Sequence, residues 1–420
     1  MFREEKEALE WLYVQKKQKR REDLSRIEAC IQELGIKTKY KIIHIAGTNG
    51  KGSTASFLRQ MLMAKGNKVG LFVSPYVLCF EERIQMNTTF IPKEVVVKYC
   101  NQLYEFAKAY TERIQDTIPF FELTFLMALL YFQEQNIDVA VIECGLGGLL
   151  DSTNVLHTDV SIITNIGYDH MQQLGNTLEE IAVHKLGITR RNRPCFTAVS
   201  SQLQPLFEEY ASAHQVDMHF ILDEVENISF KEGTLSFTFR GILYHTMLNA
   251  KYQAYNASLA IAVILYLYPE YEKSLLCSAL ESAFWPGRFE LIYPNVLLDG
   301  AHNLDGIEAL VESLRLEFKE KRIKVVFTAL HDKAISQMVE KLDELAVSYY
   351  FTSLQDTRAT SVDYFKRWTK KPYELFEAYQ EALDKAIGEL KEDELLVVTG
   401  SLHFISVARS YLLEKKERMD

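Results

Sequence analysis

The stretch that decides the fold is YKIIHIAGTNGKGST, residues 40–54, because an apolar run passes into a glycine-rich turn and then into a helical pattern. Residues 40–46 are rich in β-branched side chains, which predicts a buried strand. Residues 53–64 carry apolar side chains at helical spacing. A strand, a glycine-rich turn and a helix in this order can direct backbone N–H groups at phosphate oxygens, and Lys51 adds a positive charge.

This turn departs from the common phosphate-loop pattern G-x-x-x-x-G-K-[ST] in two ways. Ile45 stands where the pattern has its first glycine, and Gly52 separates Lys51 from the hydroxyls of Ser53 and Thr54. The other interpretation is an ordinary glycine-rich turn. Because the lysine, the preceding strand and the following helix are all present, we predict a nucleotide site here.

Outward from this loop, apolar strand-like runs alternate with helical patterns, as in parallel sheets with crossover helices. We predict strands at 69–73, 137–143 and 160–164, helices at 121–135 and 252–268, and a hairpin near 228–246 that turns at 231–233. Polar residues stand at three strand ends: Ser74, Glu143 and Thr164-Asn165. Because carboxyl ends of parallel strands form the ligand-binding edge of such sheets, we expect them at one site.

The pattern breaks at Trp285-Pro286-Gly287-Arg288, where Pro and Gly interrupt any regular element. A second alternation follows, with predicted strands at 296–299, 323–328, 347–352 and 394–399. We therefore predict an α/β protein of two domains joined near residues 284–289. Residues 1–284 form a phosphate-loop domain with a mainly parallel sheet, and residues 285–420 form a Rossmann-like domain.

Composition narrows the class of protein. The 420 residues include 47 Lys and Arg against 57 Asp and Glu, and a net charge of -10 argues against nucleic acid as a partner. The basic run 16–21 is followed by acidic residues and is interpreted as a solvated helix face. The longest apolar run, 257–268, is shorter than the roughly 20 residues of a membrane span. The charged start is unlike a signal peptide, and six scattered cysteines suggest no disulfide frame. We expect a cytoplasmic protein.

Several side chains are candidates for chemistry. Glu143 closes a buried strand and offers the oxygen ligands that magnesium prefers, and the turn Gly145-Leu146-Gly147-Gly148 after it allows close approach to a ligand. Ser74, His170 and Lys185 are further candidates. Taken alone, each has an ordinary structural interpretation, as a turn serine, a core or surface histidine and a surface helix lysine.

Together these strings resemble the folylpolyglutamate synthase/dihydrofolate synthase family of the Mur-ligase superfamily. The resemblance runs from about residue 24 to 410, and the matching strings follow one another in the family's order. They are residues 43–53, Ser74-Pro75, residues 82–84, 145–148 and 151–155, Asp169-His170, residues 184–188, 285–290 and 299–303, and residues 399–402.

The resemblance implies an ATP-dependent ligase that joins L-glutamate to a folate. ATP phosphorylates a carboxylate of the pterin substrate, and the amine of glutamate attacks the acyl phosphate to form an amide. Dihydropteroate and tetrahydrofolates are the two acceptor types of the family. Phosphoryl transfer of this kind needs positioning and charge neutralisation more than covalent help from the protein.

The resemblance also assigns roles to residues of this chain. Lys51 contacts the β- and γ-phosphates, Ser74 and Glu143 hold one Mg²⁺, and His170 and Lys185 hold a second. Lys185 is carbamylated by carbon dioxide in this scheme, which turns a cation into an oxygen ligand. The catalytic set is Lys51, Glu143, His170 and Lys185. The nucleotide-binding set is Gly47, Thr48, Asn49, Gly50, Lys51, Gly52, Ser53, Asn256, Arg288, Asp299 and His302, and the pterin-binding set is Arg83, Asp151 and Ser152.

Some positions depart from the family pattern. Leu149 stands where many members have Arg, His403 replaces a frequent Tyr, and Leu330-His331-Asp332-Lys333 follows the family's D-K-D string only in part. Two alternatives remain open. One is a Mur-type ligase for another acceptor, although the phosphate loop starts too early for the extra N-terminal domain of the enzymes that bind a UDP-sugar. The other is a nucleotide-binding regulator without catalysis. We expect a monomer.

Overall fold

The computed structural model describes residues 1–15, 23–231, 233–354 and 358–417, which fall into two compact units. The first unit comprises Met1–Ile166, Gln172–Leu222 and Leu259–Ala279, and the second comprises Gly167–Met171, Asp223–Ser258 and Leu280–Asp420. The predicted helix face at 16–21 lies outside the described residues, as does Glu232 of the predicted hairpin turn. The predicted domain boundary at 284–289 stays a prediction.

The first unit is built on one sheet. Within the described ranges its strands are β1 (Lys41–Ala46), β2 (Val69–Phe72), β3 (Ile84–Met86), β4 (Thr89–Phe90), β5 (Val139–Glu143), β6 (Val160–Ile163), β7 (Pro194–Thr197) and β8 (Asp217–Phe220). Their order is β4-β3-β2-β5-β1-β6-β7-β8, parallel from β2 to β8, with β3 and β4 antiparallel at one edge. Since Ile45 pairs with Glu143 and Phe72 with Ile142, the carboxyl ends of β2, β5 and β1 are level.

Helices cover this sheet and supply most of its apolar core. They are α1 (Glu5–Val14), α2 (Ser25–Glu33), α3 (Lys51–Ala64), α4 (Lys93–Ile114), α5 (Phe120–Gln135), α6 (Met171–Leu174), α7 (Leu178–Leu186) and α8 (Gln204–His214). Helices α9 (Lys251–Leu267) and α10 (Lys273–Glu281) have residues in both units. Short 3₁₀ turns occupy Phe80–Arg83 and Ser152–Val155. Helix α5 is apolar almost all round, and its side chains from Leu123 to Phe132 are buried in one cluster with Phe72 and Ile142.

The second unit contains two sheets. Strands β9 (Val225–Lys231), β10 (Thr234–Phe239) and β11 (Ile242–Thr246) form an antiparallel sheet in the order β11-β10-β9. The larger sheet has the order β12-β13-β17-β14-β15-β16 and is parallel except for β12. Its strands are β12 (Glu290–Tyr293), β13 (Val296–Leu298), β14 (Arg322–Phe327), β15 (Ala346–Thr352), β16 (Tyr373–Phe376) and β17 (Glu394–Thr399).

Helices also pack against this larger sheet. They are α11 (Leu304–Glu317), α12 (Ile335–Leu342), α13 (Val362–Phe365), α14 (Tyr379–Gly388) and α15 (Leu402–Glu417). The core that they enclose includes Leu310, Met338, Phe327, Phe351 and Val397, all fully buried.

The predicted fold class, two α/β parts with mainly parallel sheets, is confirmed. Strands β3, β4, β7, β8, β12 and β16 were not predicted from the sequence. Each has only two to four residues, which is too short for a clear periodic apolar pattern. Among the described residues, no helix combines the length and the apolar character that crossing a bilayer requires.

Candidate active site

The glycine-rich loop between β1 and α3 adopts a backbone that only glycine fits easily. Gly47 has a φ of 151°, and a Cβ at this position would overlap the Thr164 hydroxyl. Gly50 has a φ of 84° and directly precedes α3. The loop therefore ends at the N-terminus of a 14-residue helix, where free N–H groups and the helix dipole attract anions.

The residues after β6 hold this loop in place. Asn165 accepts a hydrogen bond from the Thr48 N–H at its backbone oxygen (3.1 Å) and one from the Asn49 N–H at its side-chain oxygen (2.8 Å). The Thr164 hydroxyl donates to the Asn49 carbonyl over 2.6 Å. Thr164 and Asn165 were predicted at the site as a polar strand end, but their contacts with the loop were not predicted from the sequence.

Three predicted residues meet at the ends of β1, β5 and β2. The Lys51 ammonium donates to the carbonyls of Gly47 (3.0 Å) and Thr48 (3.2 Å) and lies 4.0 Å from Glu143 Oε1. The Ser74 N–H donates to Glu143 Oε2 over 3.2 Å. Glu143 is 5% exposed. A buried carboxylate thus stands between a phosphate-loop lysine and a serine.

The turn after Glu143 packs against helix α7, the helix that carries Lys185. A Cβ at Gly148 would lie 2.7 Å from the His184 carbonyl oxygen, so only glycine allows this approach. The same carbonyl accepts a hydrogen bond from the Leu149 N–H over 2.7 Å. Lys185 is only 3% exposed, so it is not the surface lysine that its sequence position suggests by default.

Cys144 shows that Lys51 and Lys185 share one neighbourhood in the first unit. Burial, strengthened by the charge of Asp151, raises the pKa of the Cys144 thiol, while the charges of Lys51 and Lys185 act in the opposite direction. Lys51 and Lys185 are therefore both close enough to Cys144 to influence the pKa of its thiol.

The predicted pterin residues are all in the first unit but differ in how they are engaged. Arg83 is 8% exposed, and its guanidinium lies 5.1 Å from the ring centre of Tyr76 and 5.3 Å from that of Phe120. Burial lowers the pKa of Arg83, although Tyr76 and Glu143 are among the groups that act against this shift. Its Nε has no hydrogen-bond partner among the described residues.

Asp151 is engaged within its own turn. Its carboxylate accepts from the Leu146 N–H (2.7 Å), the Thr153 N–H (3.0 Å) and the Thr153 hydroxyl (2.5 Å), and burial raises its pKa. The Ser152 hydroxyl donates to Glu122 over 3.4 Å. Asp151 therefore shapes the turn that carries Ser152.

In the second unit, Asp299 directly follows β13 and is a buried hydrogen-bond acceptor. It receives the Tyr252 hydroxyl (2.7 Å) and the N–H groups of Phe289 (2.9 Å) and Ala301 (2.8 Å). Burial raises its pKa, and its hydrogen bonds and the charge of Arg288 oppose that shift. Asn256 donates its amide to Gln253 over 2.9 Å. Asp299 and Arg288 are therefore neighbours.

His302 and His170 meet at Asp169, a residue to which the sequence analysis gave no role. Asp169 Oδ2 lies 3.5 Å from His302 Nε2 and 3.9 Å from His170 Nε2. Lys333 donates to Asp169 Oδ1 over 2.6 Å, and Asn303 donates to Oδ2 over 3.0 Å. Burial alone would raise the pKa of Asp169, but the hydrogen bond from His302 and the nearby His170 and Lys333 hold that pKa well below its usual range. The only sequence signal for it was its place beside His170.

Comparison with known families defines the class of protein. Residues 45–264 match the Mur ligase middle domain, and residues 287–402 match the Mur ligase glutamate ligase domain. The chain therefore has the domain pair of a Mur ligase.

Individual relatives narrow this class. The chain is 36% identical to a dihydrofolate synthase/folylpolyglutamate synthase of Bacillus subtilis over 98% of this chain and 100% of that protein. It superimposes with a TM-score of 0.88 and 25% identity on Escherichia coli FolC in complex with DHPP and ADP, covering 99% of each chain. The corresponding Yersinia pestis enzyme, solved with AMPPNP and a Mn ion, has a TM-score of 0.87 at 25% identity and 98% coverage of each chain.

The chain belongs to the folylpolyglutamate synthase/dihydrofolate synthase family. It is an ATP-dependent ligase, so the enzyme class predicted from the sequence is confirmed.

Proposed function

We propose that this protein joins L-glutamate to a carboxylate of a folate acceptor at the expense of ATP. The observation that carries the proposal is the meeting of Lys51, Glu143 and Ser74 at adjacent strand ends, beside a phosphate loop that precedes α3. The relatives' names support folates as acceptors. The Escherichia coli enzyme with bound DHPP and ADP supports the view that one protein binds both the acceptor and the nucleotide.

The reaction proceeds in two steps. A carboxylate oxygen of the acceptor attacks the γ-phosphorus of ATP, and ADP leaves with the electrons of the broken bond. The product is an acyl phosphate, whose carbonyl carbon is then attacked by the uncharged amine of glutamate; phosphate leaves and the amine loses a proton. In the first step Lys51 and the α3 N-terminus offset the charge of the phosphates and orient them.

The first metal site fits Mg²⁺ in the type of its donors. Among the described residues no group of three or more His, Cys, Asp and Glu side chains gathers as a ready metal site. Mg²⁺ is usually bound by one or two carboxylates together with water and substrate phosphates, and Glu143 with the Ser74 hydroxyl provides such a partial shell. When bound, the metal neutralises charge on the transferring phosphoryl group. The Mn ion of the Yersinia pestis relative supports a divalent metal.

A second Mg²⁺ held by His170 and a carbamylated Lys185 is part of the proposal. A neutral lysine amine adds to carbon dioxide and loses a proton, which forms an N–C bond and leaves an anionic carbamate. The burial of Lys185 supports this step, because a buried lysine loses its proton more readily than an exposed one. Without the carbamate, a lysine ammonium would repel a metal ion.

The remaining parts of the proposal concern binding. Asn256, Arg288, Asp299 and His302 serve the nucleotide, and Arg83, Asp151 and Ser152 serve the acceptor. The role of His302 is supported by its pairing with Asp169. The role of Arg83 is supported by its Nε, which has no hydrogen-bond partner among the described residues. The six cysteines, all within the described residues, form no disulfide, which agrees with a cytoplasmic location, and we expect a monomer.

The test of the function is ADP release from Mg-ATP and L-glutamate, with dihydropteroate or a reduced folate added in parallel. Stimulation by both acceptors means that both synthase activities are present, and stimulation by one identifies the single activity. ATP binding without stimulation by either acceptor would contradict the proposal and favour a regulator or a ligase for another acceptor.

The test of the metal ligand is Lys185→Ala. We expect ligation to fall by at least about a hundredfold, because a metal ligand is lost. The matched control is Lys108→Ala, since Lys108 is exposed on α4 and should leave the rate unchanged. In protein equilibrated with ¹³C-bicarbonate, a carbamate NMR signal should appear in the wild type and in Lys108→Ala only. Wild-type rates in Lys185→Ala would refute the carbamate.

A further inference from the structure

A buried arginine between aromatic rings marks the acceptor side of the first unit. Arg83 lies in the 3₁₀ turn Phe80–Arg83, is stacked against Tyr76 and Phe120, and is close enough to Glu143 for the carboxylate to act on its pKa. Its buried Nε–H has no acceptor among the described residues. An unused donor on a buried guanidinium costs free energy unless a ligand accepts a hydrogen bond from it. To meet such a ligand, the Arg83 guanidinium has to be held in one orientation, and its aromatic neighbours are the groups that can hold it.

Tyr13 of helix α1 is the residue that joins these neighbours. Its hydroxyl lies 3.2 Å from the Tyr76 hydroxyl, 63 positions away in the sequence. Its ring stacks on Phe120 with 5.5 Å between ring centres and 19° between planes, and it meets Phe80 edge-on at 6.3 Å. Tyr13 therefore contacts both rings that flank the Arg83 guanidinium, and it also contacts the first residue of the turn that carries Arg83.

Helix α1 is itself well anchored, so it can act as a fixed support. Its start is held by Lys93, which lies 2.8 Å from Glu5 and 3.6 Å from Glu81 of the arginine turn. Phe2 exchanges two hydrogen bonds with Asn101 of α4, at 2.7 and 3.0 Å. Ala8 and Leu12 are fully buried in the core.

We propose that Tyr13 is a positioning residue for acceptor binding. It fixes Tyr76 through the hydroxyl contact and Phe120 through stacking, and these two rings hold Arg83 in the orientation that meets a flat, carbonyl- or carboxylate-bearing acceptor. Tyr13 does not touch the phosphates in this scheme, so its effect belongs to the acceptor alone. This inference rests on the proposed function, specifically on the role of Arg83 in acceptor binding.

The experiment is a double-mutant cycle with Tyr13→Phe and Tyr76→Phe in the full chain, read as separate KM values for acceptor, ATP and glutamate. Each single change removes the same hydroxyl contact and keeps the rings. We expect each to raise the acceptor KM about two- to tenfold, because one hydrogen bond of this kind contributes a small net free energy. The double variant should be no worse than either single one. KM values for ATP and glutamate should stay at the wild-type level.

Two further variants separate positioning from folding. Tyr13→Leu also removes the stacking and should raise the acceptor KM more than Tyr13→Phe does, so that the phenylalanine counts as a partial rescue. Tyr99→Phe is the matched control, because the Tyr99 hydroxyl donates to Glu134 over 2.6 Å between α4 and α5. It should leave all three KM values unchanged.

Different results would refute the positioning role of Tyr13 and the proposed function on which that role rests. An unchanged acceptor KM in folded Tyr13→Leu, an equal rise of all three KM values, or additive effects in the double variant would each refute the positioning role. If Arg83→Leu weakens acceptor binding while Tyr13→Leu does not, the proposed function stands and this inference fails. If the wild type shows no response to a folate acceptor, the proposed function itself fails.

Discussion

At the scale of single residues, the phosphate loop depends on Gly47, because this residue has no side chain. Gly47 combines a left-handed φ of 151° with direct contact to Thr164, whose hydroxyl is engaged by the Asn49 carbonyl. A side chain here would meet both backbone strain and a neighbour that cannot move without losing its hydrogen bond. A Cβ atom at position 47 would therefore disturb the conformation of the loop and, through it, nucleotide binding.

We expect Gly47→Ala to lower kcat/KM for ATP by at least about tenfold and to destabilise the protein by about 1–3 kcal/mol, from strain and overpacking. Steady-state kinetics and urea unfolding measure the two effects. The matched control is Gly66→Ala, which has a φ of 93° but no atom within 4 Å of the added Cβ. It should cost stability through strain and leave the ATP kinetics alone. An unchanged KM for ATP in Gly47→Ala would show that the loop tolerates a side chain.

A second residue-scale prediction concerns His44, which is fully buried in β1 with its Nε2 2.8 Å from the Thr153 hydroxyl. Burial lowers the pKa of His44 to about 3. Between that value and the unfolded pKa of roughly 6.5, only the unfolded state binds a proton at this site. The contribution of His44 to the free energy of unfolding is therefore fully present above about pH 6.5. As the pH decreases below that value, the contribution decreases by up to about 1.4 kcal/mol per pH unit.

The measurement is the free energy of unfolding between pH 7 and pH 4. His44→Asn should have lower stability at pH 7 but a shallower loss below pH 6.5 than the wild type has. The same substitution at the exposed His214 should keep the wild-type slope. Parallel curves for wild type and His44→Asn would mean that His44 is already charged in the folded protein.

At the scale of elements, helix α7 is built to present Lys185. Its N-terminus has a complete capping box, in which the Thr177 side chain accepts from the Glu180 N–H and the Glu180 carboxylate accepts from the Thr177 N–H. Its C-terminal turn is seated against the glycine turn that follows Glu143, through Gly148 and the Leu149 N–H. Both ends of the helix are thus fixed, which limits the positions that Lys185 can adopt.

We expect Thr177→Ala to cost about 1 kcal/mol of stability, since one orphan N–H of the helix loses its cap. Hydrogen exchange of the α7 amides should become faster, and urea unfolding should give the size of the loss. Ser361→Ala is the control, because Ser361 stands at the N-cap of α13 but makes no side-chain cap hydrogen bond. Equal losses in both variants would indicate a general effect of removing a hydroxyl.

At the scale of the whole molecule, the chain has a net charge of -10, yet the phosphate loop places Lys51 at the N-terminus of α3. An acidic protein with a lysine and a helix N-terminus at one loop favours small polyanions over nucleic acids, because only a focused site offsets the general repulsion. Ligand binding at such a site should therefore stabilise the folded chain measurably.

We expect a non-hydrolysable ATP analogue with Mg²⁺ to raise the thermal midpoint, by the equivalent of about 2.7 kcal/mol at a hundredfold excess over Kd. Removal of divalent metal with EDTA should abolish most of this shift, and Glu143→Gln should lose its metal-dependent part. Differential scanning fluorimetry measures all three. A shift that is the same with and without metal would contradict the role proposed for Glu143.

Much of the fold and part of the site could be predicted from the sequence because their signals are local. The periods of strands and helices gave the α/β class, and adjacent residues marked the phosphate loop and the strand ends at Ser74 and Glu143. The lysine of α7 and the aspartate before His170 carry no such local signal. Their environments depend on packing between segments that are distant in the sequence, and the resemblance to a family supplied a role for Lys185 only.

By itself, then, the sequence determined the class of fold, the family and the phosphate loop, since each depends on the order of neighbouring residues. Only the tertiary structure decided which distant groups meet. It showed Thr164 against Gly47, Asp169 in contact with Lys333 from 164 positions away, and Tyr13 against the rings beside Arg83. The physical reason is that crossover connections allow several strand orders. In the order that formed, β6 pairs with β1, and this pairing places Thr164 beside Gly47.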